Sequence, residues 1–214
     1  MSLADLKVIL TGRGVMRNTE ADRKAAYGHA MAERSSVRSR RSVRIKDWDY
    51  ASPGFYFVTI CIRNRECLFG SIFSGILKLS DLGLIANHEL QHLPDHYHHV
   101  AVDRSIVMPN HLHAVIVIDG AHQFSPDIVW QNRTVPHEPL RRPTPGSLSA
   151  IIRSYKAGVT RIARTQGLGL KWQSGFYEHI IRSDASLNAI RDYIEANPSN
   201  WESDSENPMI CELP

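Results

Sequence analysis

SIVMPNHLHAVIVI, residues 105 to 118, is an apolar run that breaks at Met108-Pro109-Asn110 and resumes at His111-Leu112-His113. The break reads as a tight turn between two adjacent strands, which predicts an antiparallel pair. In a strand beginning at His111, side chains alternate between faces, so His111 and His113 share one face. Leu112, Ala114, Ile116 and Ile118 take the other and can anchor the strand in a core. The two imidazoles are then a candidate metal pair. Taken alone, the spacing suits histidines at the edge of a core at least as well.

Upstream, Trp48 to Ile62 (WDYASPGFYFVTICI) opens with a Pro53-Gly54 turn, and Phe55 to Ile62 is aromatic and β-branched enough for a central strand. Asn64 and Arg65 turn the chain toward Cys67-Leu68-Phe69-Gly70 and a second short extended piece. Ser80-Asp81 caps a helix with Leu82, Ile85 and Leu90 on its apolar side, ending near Pro94. Tyr97 to Val107 reads as the strand before the turn. His88, His92, His96, His98 and His99 read as surface residues of the helix end and loop.

Downstream, residues 120 to 145 carry Pro126, Pro136, Pro139, Pro143 and Pro145 without a period, which predicts a long irregular loop. A helix resumes at Ser147, with Ile152, Tyr155, Val159 and Ile162 as its apolar stripe and Arg153, Lys156, Thr160 and Arg164 on another. LKWQSGFYEHIIR then reads as a turn followed by a short strand or loop. The last helix begins near Ser183-Asp184 and ends at Asn197-Pro198, because the residue before a proline is biased out of helical geometry. Its core stripe is Leu187, Ile190 and Ile194. Tyr193 lies about 60° round from Ile190, at the margin of the buried face.

A length of 214 residues suits one domain with extensions. Residues 1–43 read as a basic arm, partly helical from Thr19 and flexible through its arginine-serine stretch; 44–201 as the domain; 202–214 as a short acidic tail. The net charge is only +3, but Arg34, Arg38, Arg40, Arg41, Arg44 and Lys46 cluster ahead of the first strand. That suits a polyanionic partner, or a solvated arm. With no bilayer-length apolar run and no signal-peptide pattern, a soluble, cytoplasmic protein without a membrane partner is expected. Cys61, Cys67 and Cys211 form no zinc-type pairing and read as reduced thiols.

Taken in order, DYASPGFYFVTICIRNRECLFG, MPNHLHAVIVI, LSAIIRSYKAGVTRIAR, WQSGFYEHIIR and IRDYIEANPSNW closely resemble the REP-associated tyrosine transposases. These are relatives of the single-tyrosine insertion-sequence transposases in the HUH endonuclease superfamily, and the resemblance runs from Arg44 to Trp201. It implies an α/β (α+β) fold of ferredoxin-like or RRM-like type, an antiparallel sheet with helices packed on its faces. It also implies that His111 and His113 bind a divalent metal, with Asn197 as third ligand. Tyr193 becomes the nucleophile that cleaves single-stranded DNA, leaving a 5′-phosphotyrosine and a free 3′-hydroxyl.

Residue chemistry agrees with these roles. Tyr193 and Asn197 are four apart, on one helix face. Two imidazoles and an amide oxygen admit Mg²⁺ or Mn²⁺, with Mn²⁺ better matched to imidazole. For the DNA partner, a single strand with hairpin repeats, Arg153, Lys156 and Arg164 are candidate phosphate contacts, and Trp172 with Gln173 a candidate base contact. A solvated helix face and a buried tryptophan are the competing reading. Tyr155, among basic residues but on the apolar stripe, reads as packing. Glu178 and His179 resemble family positions without an assignable role. The alternative function is a repeat-hairpin-binding regulator of the same fold with little cleavage activity; a histidine metal hydrolase is a third.

Overall fold

The computed structural model describes residues 48–118, 145–204 and 206–208. The expected N-terminal arm, the proline-rich loop up to residue 144 and the end of the acidic tail lie outside the described residues. In chain order the elements are β1 (Gly54–Cys61), β2 (Gly70–Phe73), β3 (Ile76–Leu79), α1 (Asp81–Gln91) and α2 (Leu93–His96). They continue with β4 (Val100–Val107), β5 (His111–Ile118), α3 (Leu148–Thr165), β6 (Tyr177–Ile181), α4 (Asp184–Ala196) and a 3-10 segment, Pro198–Ser203.

Four strands form one antiparallel sheet in the order β4-β5-β1-β6. Reading β1-α1-β4-β5-α3-β6 along the chain, this is the ferredoxin-like arrangement, two interleaved βαβ units. The expected fold class is therefore the one observed. Tyr56, Val58, Ile60, Leu112, Ala114, Ile116 and Ile118 pack on one side against Leu82, Ala86 and Leu90 of α1 and Ile152, Tyr155 and Val159 of α3. On the other side Phe55, Phe57, Val115, Val117 and Ile181 pack against Leu187, Ile190 and Ile194 of α4. With both faces covered, every residue of β5 is buried.

Three local features sharpen the sequence reading or depart from it. The piece after Cys67 is a hairpin, β2 and β3 joined at Ser74 and Gly75, whose φ values of 49° and 75° suit a mirror-image two-residue turn. The segment after Gly175 settles as a strand, because β1 offers it an edge from Phe55 to Thr59. Asn197 keeps right-handed helical geometry (φ −57°, ψ −44°) although Pro198 follows, since the chain runs on into a 3-10 turn with the proline at its start.

α4 is held to the sheet by charge as well as apolar burial. A register shift between Val102 and Arg104 turns Asp103 toward α4, where it accepts from Arg191 Nε at 2.9 Å. Arg104 meets Glu195 at 3.1 Å. These pairs bracket Tyr193 on the helix.

α1 starts where Ser80 Oγ accepts from the Gly83 backbone N–H at 3.1 Å and donates to the Leu68 carbonyl at 2.6 Å. The helix lies so close to the segment leading into β2 that a Cβ on Gly83 would sit 2.0 Å from the Phe69 carbonyl oxygen. Alanine ordinarily favours a helix over glycine by about 1 kcal/mol. Here Gly83→Ala is expected to destabilise the fold by about 2 kcal/mol, because backbone must move. Urea unfolding of the two proteins measures it, and a stabilised variant would show that the close approach does not exist.

Candidate functional site

The strand pair puts the two histidines at the start of β5, beside the end of β1, with His111 opposite Cys61 and His113 opposite Thr59. Both are fully buried, and their Nε2 atoms lie 3.0 Å apart. Each ring is held from behind. His113 Nδ1 is 2.9 Å from Thr59 Oγ1, and His111 Nδ1 is 2.7 Å from Asn110 Oδ1. Asn110 in turn donates through Nδ2 to the Arg65 carbonyl at 3.2 Å and the Glu206 carbonyl at 2.7 Å. Thr59 and Asn110 are partners of the histidine rings that motif reading passed over. Asn110 was visible as the residue before the histidine pair, whereas Thr59 emerges only from strand register.

α4 brings Tyr193 onto this face, its hydroxyl 3.3 Å from His113 Nε2. The expected marginal position gives way to burial: Tyr193 is 3% exposed. Aromatic neighbours close around it. Phe57 stacks on His113 at 5.4 Å between centroids and meets Tyr193 edge-on at 6.1 Å. Trp201, from the segment after α4, lies 6.1 Å from the His111 ring. One turn beyond Tyr193, Asn197 is 2% exposed and its Nδ2 donates to the Tyr193 carbonyl at 3.5 Å. Its Oδ1 is buried with no hydrogen-bond partner among the described residues.

Burial controls the charge states. It pushes His111 down to about 3, helped by the positive charge of Arg65. Burial, with His111 adding to it, holds His113 well below the ordinary histidine range. Burial also raises the Tyr193 phenol, against a lowering influence from the Asn197 side chain, while Asp204 and Glu206 raise it further. Both imidazoles are therefore neutral near pH 7, the form that donates a lone pair.

These residues fit a divalent ion. Adjacent ligands of an octahedral ion with bonds of about 2.1 Å lie about 3 Å apart. The His111–His113 separation of 3.0 Å matches. The Asn197 Oδ1, with no hydrogen-bond partner among the described residues, is a further oxygen donor. Among the described residues no three or more His, Cys, Asp or Glu cluster as a metal site.

The expected DNA contacts are placed differently from one another. Arg153 and Arg164 are exposed on α3. Lys156 is tied down, donating to the Gln173 and Gly175 carbonyls at 2.9 and 2.6 Å, and burial brings it down to about 8 against the influence of Cys61. Trp172 is half-buried against Phe69 and Tyr155, its Nε1 donating to Thr160 Oγ1 at 3.1 Å. Gln173 is exposed but its backbone N–H bonds the Cys61 carbonyl at 2.9 Å. Lys156, Trp172 and Gln173 thus gather at the end of β1, on its edge away from β5. Tyr155 donates to the Ala86 carbonyl at 2.9 Å inside the core, consistent with packing.

The neutral histidines make folding stability depend on pH. The unfolded chain binds a proton at His111 below about pH 6.5, while the folded one refuses it until about pH 3. Stability is therefore complete above about pH 6.5 and falls as pH drops through that window, by about 1.4 kcal/mol per pH unit for each such group. In urea unfolding of metal-free protein, His111→Gln should show a shallower loss than wild type between about pH 6.5 and about pH 5. Equal slopes would place His111 in water.

No protein-family model matches the chain. Among the described residues no helix is long and apolar enough to cross a membrane. The fold is similar to a REP-associated tyrosine transposase solved bound to a REP hairpin, at 21% identity and a TM-score of 0.47, covering 76% of this chain and 73% of that one. It is also similar to a candidate transposase from Deinococcus radiodurans, at 12% identity and a TM-score of 0.35, covering 74% of this chain and 95% of that one. An uncharacterized protein of Haemophilus influenzae is 38% identical over 171 residues, 79% of this chain and 94% of that protein. At that identity and coverage, the chain belongs to the same family as the Haemophilus influenzae protein.

Proposed function

We propose that this chain is a metal-dependent, transposase-like endonuclease that cleaves and rejoins single-stranded DNA at hairpin-containing repeats. The observation that carries this reading is the meeting of His111 Nε2, His113 Nε2 and the Tyr193 hydroxyl within 3.0 and 3.3 Å on one buried sheet face. These are the residues at which the family resemblance concentrates. In the proposed reaction the Tyr193 oxygen bonds to phosphorus and the phosphorus–O3′ bond breaks. The phenol proton is lost and the departing oxygen gains one, giving a 5′-phosphotyrosine and a free 3′-hydroxyl. Rejoining reverses the exchange with a 3′-hydroxyl as nucleophile.

His111, His113 and Asn197 would hold the ion, Mg²⁺ or Mn²⁺. When bound, it supplies Lewis-acid stabilisation of the anionic phosphate. The protein's own contributions are orientation and dryness. Phe57 wedges Tyr193 against His113, and burial keeps both imidazoles neutral. Asn197 offsets part of the rise that burial imposes on the phenol. Arg153 and Arg164 are proposed phosphate contacts, with Lys156, Trp172 and Gln173 shaping the rim by which the strand enters.

One observation favours a binding-only regulator of the same fold. Tyr193 is 3% exposed and both histidines are fully buried, so a phosphodiester reaches them only if a covering segment shifts. A single experiment separates the two. Incubated with Mn²⁺ and a library of labelled hairpins with randomised single-stranded flanks, wild type should form a denaturant-resistant protein–DNA adduct. Tyr193→Phe should form none, His111→Ala at least about 100-fold less, and EDTA should abolish it. An adduct on Tyr193→Phe would overturn the nucleophile; retained hairpin binding with no adduct from wild type would establish the regulator.

A further inference from the structure

We infer that Asn110 is a positioning residue that locks His111 in the Nδ1–H tautomer and so presents its Nε2 lone pair toward His113, a role whose consequence for metal binding rests on the function proposed above. The orientation of the Asn110 amide follows from its partners. Nδ2 faces two backbone carbonyls, of Arg65 at 3.2 Å and Glu206 at 2.7 Å, neither of which can donate. A flipped amide would set its oxygen against both. Oδ1 therefore faces His111 Nδ1, 2.7 Å away, and an oxygen at that distance requires an N–H. With Asn110 1% and His111 0% exposed, no water competes for either atom.

The support behind Asn110 is itself built. Asn64 and Arg65 both take left-handed backbone geometry, φ 58° and 57°, which is uncommon for residues other than glycine. That turn is where the Arg65 carbonyl becomes available to the amide. Glu206 is held in place as well, its carboxylate 3.2 Å from Arg65 Nε.

His113 is held by a different kind of partner. The Thr59 hydroxyl at 2.9 Å can donate or accept, so it satisfies His113 Nδ1 in either tautomer. In the metal-free protein His113 Nε2–H donates to the His111 lone pair across 3.0 Å, and the Thr59 hydroxyl donates to His113 Nδ1. Rotation of that hydroxyl lets His113 carry its proton on Nδ1 instead and free Nε2. One imidazole is thus fixed and the other adaptable, and the pair can pass from bonding each other to facing a shared ion.

Long-range ¹⁵N–¹H correlation spectra of the metal-free, ¹⁵N-histidine-labelled chain at neutral pH test this directly. His111 should be protonated on Nδ1 only and His113 on Nε2 only. In Asn110→Ala the His111 tautomer should become mixed or reverse, and Mn²⁺ affinity measured by calorimetry should fall about 10- to 100-fold, while the His113 signals report that the sheet remains folded. A wild-type His111 protonated on Nε2, or an Asn110→Ala protein with unchanged tautomer and Mn²⁺ affinity, overturns the inference. If Asn110→Ala does not fold, the wild-type spectrum decides the tautomer by itself. The stated tautomer without Mn²⁺ binding upholds Asn110 and overturns the metal reading instead.

Discussion

Two imidazoles in contact at the centre of a dry sheet impose a condition on everything around them: each ring nitrogen needs a partner, because a buried polar atom left unpaired costs about 1–3 kcal/mol. His111 and His113 meet that condition through Asn110, Thr59 and each other. The requirement reaches far along the chain. Asn110 is satisfied by carbonyls of the turn after β1 and of the segment after α4, so the beginning and end of the domain both close on the histidine pair.

The same dryness sets the chemistry available. Neutral imidazoles are ligands; imidazolium ions are not, and burial excludes the charged form, with Arg65 acting in the same direction on His111 and His111 on His113. For the proposed reaction burial acts on Tyr193 in the opposite sense, since it disfavours the phenolate. Under that proposal, neutral histidines and an anionic oxygen in one buried site call for added positive charge. The unsatisfied Asn197 oxygen beside them is consistent with a cation as the missing member.

Positioning of Tyr193 depends on α4 sitting on the sheet face opposite α1 and α3. Apolar burial of Leu187, Ile190 and Ile194 supplies most of the attraction and sets which stripe of the helix faces the sheet. Arg191 with Asp103, and Arg104 with Glu195, are directional. They lie two residues to either side of Tyr193, so the helix is keyed to the irregular stretch of β4 at the turn that carries the phenol.

How much was legible in the chain can be judged residue by residue. Alternation in residues 111–118 determined that His111 and His113 share a face and that Leu112, Ala114, Ile116 and Ile118 enter the other core, because strand geometry permits no other distribution. Ser80 and Ser183 marked helix starts by cap chemistry that acts within three residues. Local rules failed where a partner remote in sequence decided the outcome. β6 is a strand because β1 offers it an edge, Asn197 stays helical because a 3-10 turn receives it, and Lys156 and Trp172 are committed to internal contacts that a basic or aromatic residue does not announce. Sequence alone determined which residue types share a face, since that depends only on backbone periodicity. The distance from Tyr193 to His113, the tautomer-setting partners and the depth of burial were decided by tertiary structure, since each is a property of segments that meet only when the sheet closes.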